Sequence, residues 1–228
     1  MWLINSSIGR KVVMSVTGIC LILFLTFHCC MNVVALFSGE GYNWICEMLG
    51  ANWYAVVATM GLALLAALHI FFAFWLTMQN RKARGNERYD VTERRSEVSW
   101  ASQNMLVLGI IILIGLLIHL YDFWYNMMFA ELFPSIHYDA APADGFGKIV
   151  ATFGNPVKVV LYVIWIVAIW FHLSHGFWSA MHTLGWSGKI WQKRWQCIGI
   201  IYVTILMAMF LIVVLAFAFK LAPSLCVA

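Results

Sequence analysis

Residues 157–185 read VKVVLYVIWIVAIWFHLSHGFWSAMHTLG. This stretch has one charged side chain, Lys158, and is long enough to cross about 30 Å of hydrocarbon as an α-helix. It also contains three histidines, His172, His175 and His182. Ionisable residues are rare inside membrane spans and are usually functional there. The stretch therefore predicts a transmembrane helix with a chemical role.

The rest of the chain repeats this apolar pattern. Of its 228 residues, 63% are hydrophobic and 11% are charged, whereas soluble domains have about 25% charged residues. Four further apolar runs cover about residues 12–37, 53–79, 101–128 and 196–221. We therefore expect an all-α membrane protein with five transmembrane helices in a single membrane domain, residues 1–228. The first run is too long for a signal peptide and lacks a clear small-x-small cleavage site, so we expect a permanent span.

Lys and Arg residues are concentrated on one side of the predicted bundle. Because such residues are retained on the cytoplasmic side near the ends of spans, we expect a cytoplasmic N-terminus and a C-terminus outside. The basic side contains Arg10, Lys11, Arg81, Lys82, Arg84, Arg88, Arg94, Arg95, Lys189, Lys193 and Arg194. The other side contains Lys148, Lys158 and Lys220. The net charge of +4 reflects these connections, and nothing in the chain points to nucleic acid as a partner.

The chain lacks the sequence motifs of several common metal, haem and phosphate sites. The six cysteines form no C-x-x-C or C-x-x-C-H motif, which argues against a zinc ribbon and a covalently attached c-type haem. There is no internal repeat and no Gly-rich phosphate loop. The longest connections, about residues 80–99 and 129–156, are too short for a catalytic domain. Chemistry on a soluble substrate would need another subunit, which the basic connections could dock if they do more than set topology.

Six of the seven histidines lie in the predicted spans, namely His28, His69, His119, His172, His175 and His182. A single one could be a hydrogen bond between helices, but here four consecutive spans each carry at least one. Depth follows from the rise of about 1.5 Å per residue and the alternating directions of the spans. It puts His28 and His119 at an outer level, and His69 with His172 or His175 at an inner level about 10 Å away.

Imidazole is a good ligand for iron, and a haem iron takes two axial ligands. The two levels therefore predict two bis-histidine haems in a four-helix bundle. Small residues that could form a slot for a porphyrin lie in the same spans, although they are common wherever membrane helices pack. They are Ser15, Gly18, Gly61, Ala66, Ala67, Gly109, Gly115 and Gly176. The fifth span has no histidine, and we expect it to pack at the periphery.

Three motifs resemble one known family. Residues 15–18 (SVTG), followed ten residues later by His28, are similar to its S-x-T-G motif and first haem ligand. Residues 172–178 (HLSHGFW) resemble its H-x-x-x-G-[LF]-[WY] signature, and residues 119–124 (HLYDFW) look like its bacterial b558 group. Over nearly its whole length, the chain resembles the five-helix diheme cytochrome b subunit of succinate dehydrogenase and fumarate reductase complexes.

The resemblance implies the cofactors, partners and location. His28 and His119 would hold a distal, outer haem b, and His69 and His172 a proximal one, with His175 as the alternative to His172. A flavoprotein subunit with FAD and an iron–sulfur subunit with its clusters would bind the cytoplasmic face of a bacterial inner membrane. Electrons would pass between this pair, where the dicarboxylate chemistry occurs, and a lipid-soluble quinone, usually menaquinone. The family also allows a dimer of heterotrimers.

The resemblance also implies roles for residues around the haems. Ser15 would hydrogen-bond a haem propionate, and His182 would face the propionates from the cytoplasmic end of its span; helix packing is the alternative for Ser15. His137, in the outer loop, is expected to be an ordinary surface residue.

Quinone chemistry needs a proton acceptor beside an apolar cleft. In relatives this is an acidic residue near the outer start of the second span, and Glu47 is the nearest candidate. Glu40, or a role for Glu47 in loop solvation only, is the alternative. Some relatives also have a glutamate two residues before the fourth-span ligand, where this chain has Trp170. That proton path is therefore not expected in that form.

Other functions fit the same composition. A carrier or channel could use intramembrane histidines as a proton relay, but it would be expected to have broken helices and inverted repeats. Cytochrome b subunits of hydrogenases or formate dehydrogenases usually dock their partners outside, whereas the larger basic surface here is inside. A haem-free anchor with structural histidines is the third alternative, which a visible spectrum would distinguish.

Overall fold

The structure, a computed structural model, describes residues 6–84, 100–136 and 141–226. Its helices are α1 (Ser7–Phe37), α2 (Gly39–Met48), α3 (Trp53–Arg84), α4 (Met105–His119), α5 (Gly145–Phe153), α6 (Pro156–Thr183) and α7 (Lys189–Ala218). Trp100–Gln103 forms a helical turn before α4, and Pro223–Cys226 forms a 3₁₀ turn after α7. Arg88, Arg94, Arg95 and His137 lie outside the described residues.

In the described part of the chain, five helices are long and apolar enough to cross a membrane. This confirms the predicted all-helical, multi-pass architecture. The helices extend beyond several predicted boundaries; α1 begins at Ser7 rather than near residue 12, and α7 begins at Lys189 rather than near residue 196. Hydropathy detects the part of a helix that suits lipid, whereas the backbone hydrogen bonds continue into the polar ends.

Side chains at the helix starts explain where these elements begin. The Ser6 hydroxyl accepts the Gly9 N–H at 2.9 Å at the start of α1. At the start of α6, Asn155 accepts the Val157 N–H at 2.9 Å, and Pro156 occupies the first helical position. Ser and Asn are preferred caps because they satisfy backbone N–H groups that have no partner within the helix.

Successive spans run in opposite directions. Thr17 and Arg10 of α1 lie opposite His69 and Trp75 of α3, so residue numbers rise along one helix as they fall along the other. The same relation holds for α4 and α6 and for α6 and α7. Among the described residues, the α3 helix packs chiefly against α1 and touches α4 only lightly, so much of its surface has no neighbour within that part of the chain.

The third span changes its winding after α4. Leu120–Phe129 forms a π-helix, and Ala130–Leu132 continues as an α-helical turn. In a π-helix the backbone N–H bonds to the carbonyl five residues earlier, and such segments are frequent at functional sites. The winding changes directly after His119.

The fifth span, α7, is not peripheral as expected. It packs against α6 and α1, and it has the largest buried share of the five spans, 33%. Val203 is fully buried, and Tyr202 shares a hydrogen bond with Thr26 of α1. The expectation was wrong because lipid tails are as apolar as Leu or Val side chains, so composition alone does not distinguish a buried helix face from one in lipid.

Two short helices, α2 and α5, pack together where α1 ends and α6 begins. The Asn43 side chain joins them, since its Nδ2 donates to Asp144 Oδ1 at 2.9 Å and its Oδ1 accepts the Phe146 N–H at 2.8 Å. Asp144 also caps α5. These segments were expected to be loops; instead they form a cap, hereafter the α2–α5 cap, over this end of the bundle.

Candidate functional site

The structure brings His28 and His119 together. Their ring centroids are 5.7 Å apart, and the ring planes are nearly perpendicular at 84°. Aromatic rings from α1, the π-helix that follows α4, α6 and α7 surround this outer pair within 5.2–6.1 Å between centroids, namely Phe24, Phe123, Tyr162, Trp165 and Phe210. The outer pair therefore lies in an apolar, largely aromatic environment.

The structure also brings His69 and His172 together. Their ring centroids are 6.4 Å apart, with an interplanar angle of 64°. This inner pair joins α3 to α6, helices with little other contact. The Nδ1 atom of His69 lies 3.1 Å from the Thr17 hydroxyl oxygen. The two contacts join alternate spans, the first to the third and the second to the fourth, at the two levels expected from depth; depth alone had left His172 and His175 as alternatives.

The alternative fourth-span histidine lies elsewhere. The His175 ring packs edge-on against Trp178 of the same helix, with 5.0 Å between centroids. In the described part of the chain, the ring contact of His69 with α6 is made by His172. The geometry therefore favours His172 as the partner of His69.

Several imidazole nitrogens have no hydrogen-bond partner. Among the described residues, the buried Nδ1 atoms of His119, His172 and His175 lack one. A buried polar atom without a partner costs about 1–3 kcal/mol, and native structures contain few of them. Such atoms near paired imidazoles are typical of a site that a further group or a water completes.

The spacing of the inner pair matches two imidazoles on opposite sides of one metal ion, and the outer pair is about 0.6 Å closer than that geometry needs. With a metal–nitrogen bond of about 2.0–2.1 Å and about 1.1 Å from nitrogen to ring centre, the two centroids would be about 6.3 Å apart. The observed distances are 5.7 and 6.4 Å. In the described regions no group of three His, Cys, Asp or Glu side chains could hold a metal ion. A closed zinc site needs four ligands, whereas a haem iron needs two from the protein.

The glycines of the four histidine-bearing spans fall into two groups. An added Cβ would meet nothing within 4 Å at Gly61, Gly109 and Gly176. At Gly18 it would lie 3.3 Å from His69 Cε1, and at Gly115 it would overlap the Trp165 ring. The first group borders open space and the second permits close approach. On α3, Ala66 is partly exposed and Ala67 is exposed, which is consistent with the sparse packing of that helix.

The two residues expected near haem propionates differ in environment. Ser15 is buried, with 8% exposure, and lies half a turn from Thr17 on α1. His182 is exposed in the last turn of α6. The half-buried Arg10, which the sequence argument did not consider for this role, lies with its guanidinium 5.8 Å from the centroid of the Trp75 ring.

Glu47 borders a pocket of about 550 Å³ at the end of the bundle where α3 begins. Its lining residues are Trp44, Glu47, Met48, Ala51, Asn52 and Glu131. The Glu131 carboxylate accepts the Ala51 N–H at 2.7 Å, and Glu47 is exposed. Glu40 is not among the lining residues. The structure thus brings a second carboxylate, Glu131, to the candidate quinone site.

The α2–α5 cap contains a perturbed thiol next to this pocket. Burial raises the pKa of Cys46 to about 11, and the nearby carboxylates of Asp144 and Glu131 act in the same direction, against the lowering effect of its hydrogen bond with Tyr42. Burial also raises the pKa of Tyr42. Both side chains are therefore neutral at physiological pH.

An ion pair that was not predicted from the sequence lies three residues after His119, in the π-helix. In the π-helix, Asp122 is 7% exposed and forms an ion pair with Lys158 at 2.6 Å. The Tyr162 hydroxyl donates to its other oxygen at 3.1 Å. An acidic residue within an apolar span is itself an indication of function or pairing, and Asp122 in HLYDFW could have been singled out on that basis. The indole N–H of Trp170 donates to the Thr204 hydroxyl at 2.9 Å.

Comparison of the chain with protein-family models, curated proteins and solved structures gives no match. The features of the chain that bear on function are therefore the geometry of the four paired histidines, their surroundings and the motif resemblance.

Proposed function

We propose that this chain is the cytochrome b anchor of a succinate dehydrogenase or fumarate reductase complex. It carries electrons through two b haems between a menaquinone-type quinone and an iron–sulfur subunit. The observation that carries this proposal is the approach of four intramembrane imidazoles in two pairs, at 5.7 and 6.4 Å between centroids. Each haem, when bound, supplies reversible one-electron transfer.

The donor set supports the assignment of ligands. His28 and His119 would hold the outer haem, and His69 and His172 the inner one. Open space beside Gly61, Gly109 and Gly176 and the sparse contacts of α3 leave room for large planar groups between helices. Ser15 is the candidate for a propionate hydrogen bond, because it is buried on the histidine-bearing helix α1.

The pocket beside Glu47 supports a quinol site. Oxidation of a quinol releases two protons, which need a nearby acceptor. Glu47 and Glu131 offer carboxylates to the pocket, at the end of the bundle that contains the His28–His119 pair. Glu47 is the more accessible acceptor, because Glu131 already binds the Ala51 N–H.

The basic end of the bundle supports a soluble partner. Its exposed cations in the described residues are Lys11, Arg81, Lys82, Lys189, Lys193 and Arg194. Because Lys and Arg residues are retained on the cytoplasmic side of spans, this end would lie at the cytoplasmic face of a bacterial inner membrane. An iron–sulfur subunit bound there, with a flavoprotein beyond it, would lie nearer the His69–His172 pair than the outer pair.

Haem content and spectra of the purified protein test the proposal. We expect about two haems per chain by pyridine haemochrome assay and a reduced α-band typical of b-type cytochromes. Replacing any one of His28, His69, His119 or His172 by Leu should remove at least the haem held by the pair to which that histidine belongs. The matched control His175→Leu should retain both haems. A colourless wild-type protein would refute the haem assignment and favour a carrier or a haem-free anchor. Two haems without succinate- or fumarate-linked partners on co-purification would favour another quinone-linked oxidoreductase.

A further inference from the structure

The contacts of the Thr17 hydroxyl bear on which nitrogen of His69 carries the proton. A threonine hydroxyl has one proton to donate and two lone pairs to accept with. The Thr17 hydroxyl donates to the Val13 carbonyl at 2.8 Å, with the Met14 carbonyl also in reach at 3.1 Å. With its proton on a carbonyl, the hydroxyl can only accept from His69 Nδ1, which lies 3.1 Å away.

Other contacts hold the His69 ring in this orientation. Gly18 leaves just enough room for the ring, since an added Cβ would be 3.3 Å from its Cε1. Thr17 itself is 4% exposed, so water has little access to compete for the bond.

In the described residues, the paired histidines His119 and His172 have no hydroxyl or carbonyl bonded to Nδ1. In the described parts of the chain, Nδ1 of His119 and of His172 is buried without a hydrogen bond. The second contact of a ligating histidine normally fixes its tautomer and raises its basicity as a ligand. Thr17 therefore gives His69 a property that its partner His172 does not share.

We propose that Thr17 is a positioning residue that holds His69 protonated on Nδ1, so that Nε2 is the nitrogen available to bind the inner haem iron. The identity of the bound group as haem rests on the proposed function, whereas the tautomer of His69 does not. A more basic axial ligand favours the oxidised iron, so the Thr17 hydrogen bond lowers the reduction potential of the inner haem alone.

A matched control lies on the same helix. Thr26 also donates to a carbonyl four residues earlier, Ile22, at 2.8 Å, and its hydroxyl contacts Tyr202 rather than a histidine. Donation of this kind is ordinary for threonine in helices. Thr26→Val thus removes the same local bond from α1 without touching His69.

Redox titration of the full chain with its haems separates the variants. Thr17→Val should shift the midpoint potential of one haem to a more positive value, or release that haem, and leave the other unchanged. Thr17→Ser should restore the wild-type behaviour, and Thr26→Val should retain both haems at their original potentials. Identical potentials in Thr17→Val and Thr26→Val would overturn the proposal. So would haem loss that Thr17→Ser fails to restore, because Thr17 would then act through packing.

A measurement on the haem-free chain makes the inference independent of the proposed function. In full-length protein labelled with ¹⁵N-histidine and prepared under haem limitation, the nitrogen shifts of His69 report which ring nitrogen is protonated. We expect the Nδ1-protonated form in the wild type and in Thr17→Ser, and a mixture or the other tautomer in Thr17→Val. The same tautomer in all three would overturn the role of Thr17. A wild-type protein that never binds haem would instead overturn the function.

Discussion

Replacing Gly115 by Ala should disturb the contact between α4 and the outer histidine pair. An added Cβ there would overlap the indole of Trp165. That indole donates to the Ile112 carbonyl at 3.0 Å, and its ring centroid lies 5.4 Å from that of His119. The methyl group can be accommodated only if Trp165 moves, which loosens the hydrogen bond and shifts a ring that packs against His119.

The expected destabilisation follows from three contributions. Overpacking costs about 1–3 kcal/mol, and loss of the indole hydrogen bond costs about 1 kcal/mol. Ala in place of Gly in a helix contributes about 1 kcal/mol in the opposite direction. We therefore expect Gly115→Ala to lower the free energy of unfolding by about 1–3 kcal/mol.

Gly109→Ala on the same helix is the matched control. Nothing lies within 4 Å of its added Cβ, so with both variants prepared free of haem this one should only gain helix propensity, about 1 kcal/mol. The two variants should thus differ by about 2–4 kcal/mol in unfolding by SDS titration in mixed micelles, followed by circular dichroism. Equal stability of Gly115→Ala and Gly109→Ala would refute the close contact between Gly115 and Trp165.

Three further predictions concern other sites. Asp122→Asn leaves the Lys158 ammonium, 29% exposed, without its counter-charge, so SDS titration should show a loss of about 1–3 kcal/mol, whereas unchanged stability would argue against the ion pair. In a variant with Cys46 as its one cysteine, the thiol pKa of about 11 keeps the thiol protonated below that pH. Maleimide labelling at pH 8 should then be roughly 200-fold slower than for an ordinary thiol and should accelerate as pH rises; fast labelling at pH 8 would contradict the burial of Cys46. Glu47→Gln should abolish quinol turnover with both haems retained, while Glu40→Gln, outside the pocket, should retain activity; full turnover in Glu47→Gln would end its assignment as proton acceptor.

The span count and the histidine pairing could be predicted because each depends on one regular quantity. Span length follows from the thickness of the hydrocarbon layer, and depth follows from the constant rise of a helix. Those two quantities were enough to pair His28 with His119, and His69 with either His172 or His175. They also left His172 and His175 unresolved, since the choice depends on helix rotation rather than depth.

The features that were missed depend on tertiary contacts. Burial of α7 depends on which helix faces meet, and membrane helices give little compositional sign of this. The α2–α5 cap depends on Asn43, whose partners Asp144 and Phe146 lie about a hundred positions away along the chain. The same holds for the Asp122–Lys158 ion pair and for the Glu131 carboxylate that binds Ala51.

The π-helix of the third span affects how this chain would tolerate the deletion of one residue. Deletion of one residue from an ordinary span turns everything after it by about 100° relative to what precedes it. A π-helix holds more residues per turn than an α-helix, so a deletion between Leu120 and Phe129 can be absorbed by a return to tighter coiling with the backbone still fully bonded. Such a shortened chain would still cross the bilayer with Glu131 directed at Ala51, and the change would fall on side chains inside the segment, such as Asp122 opposite Lys158.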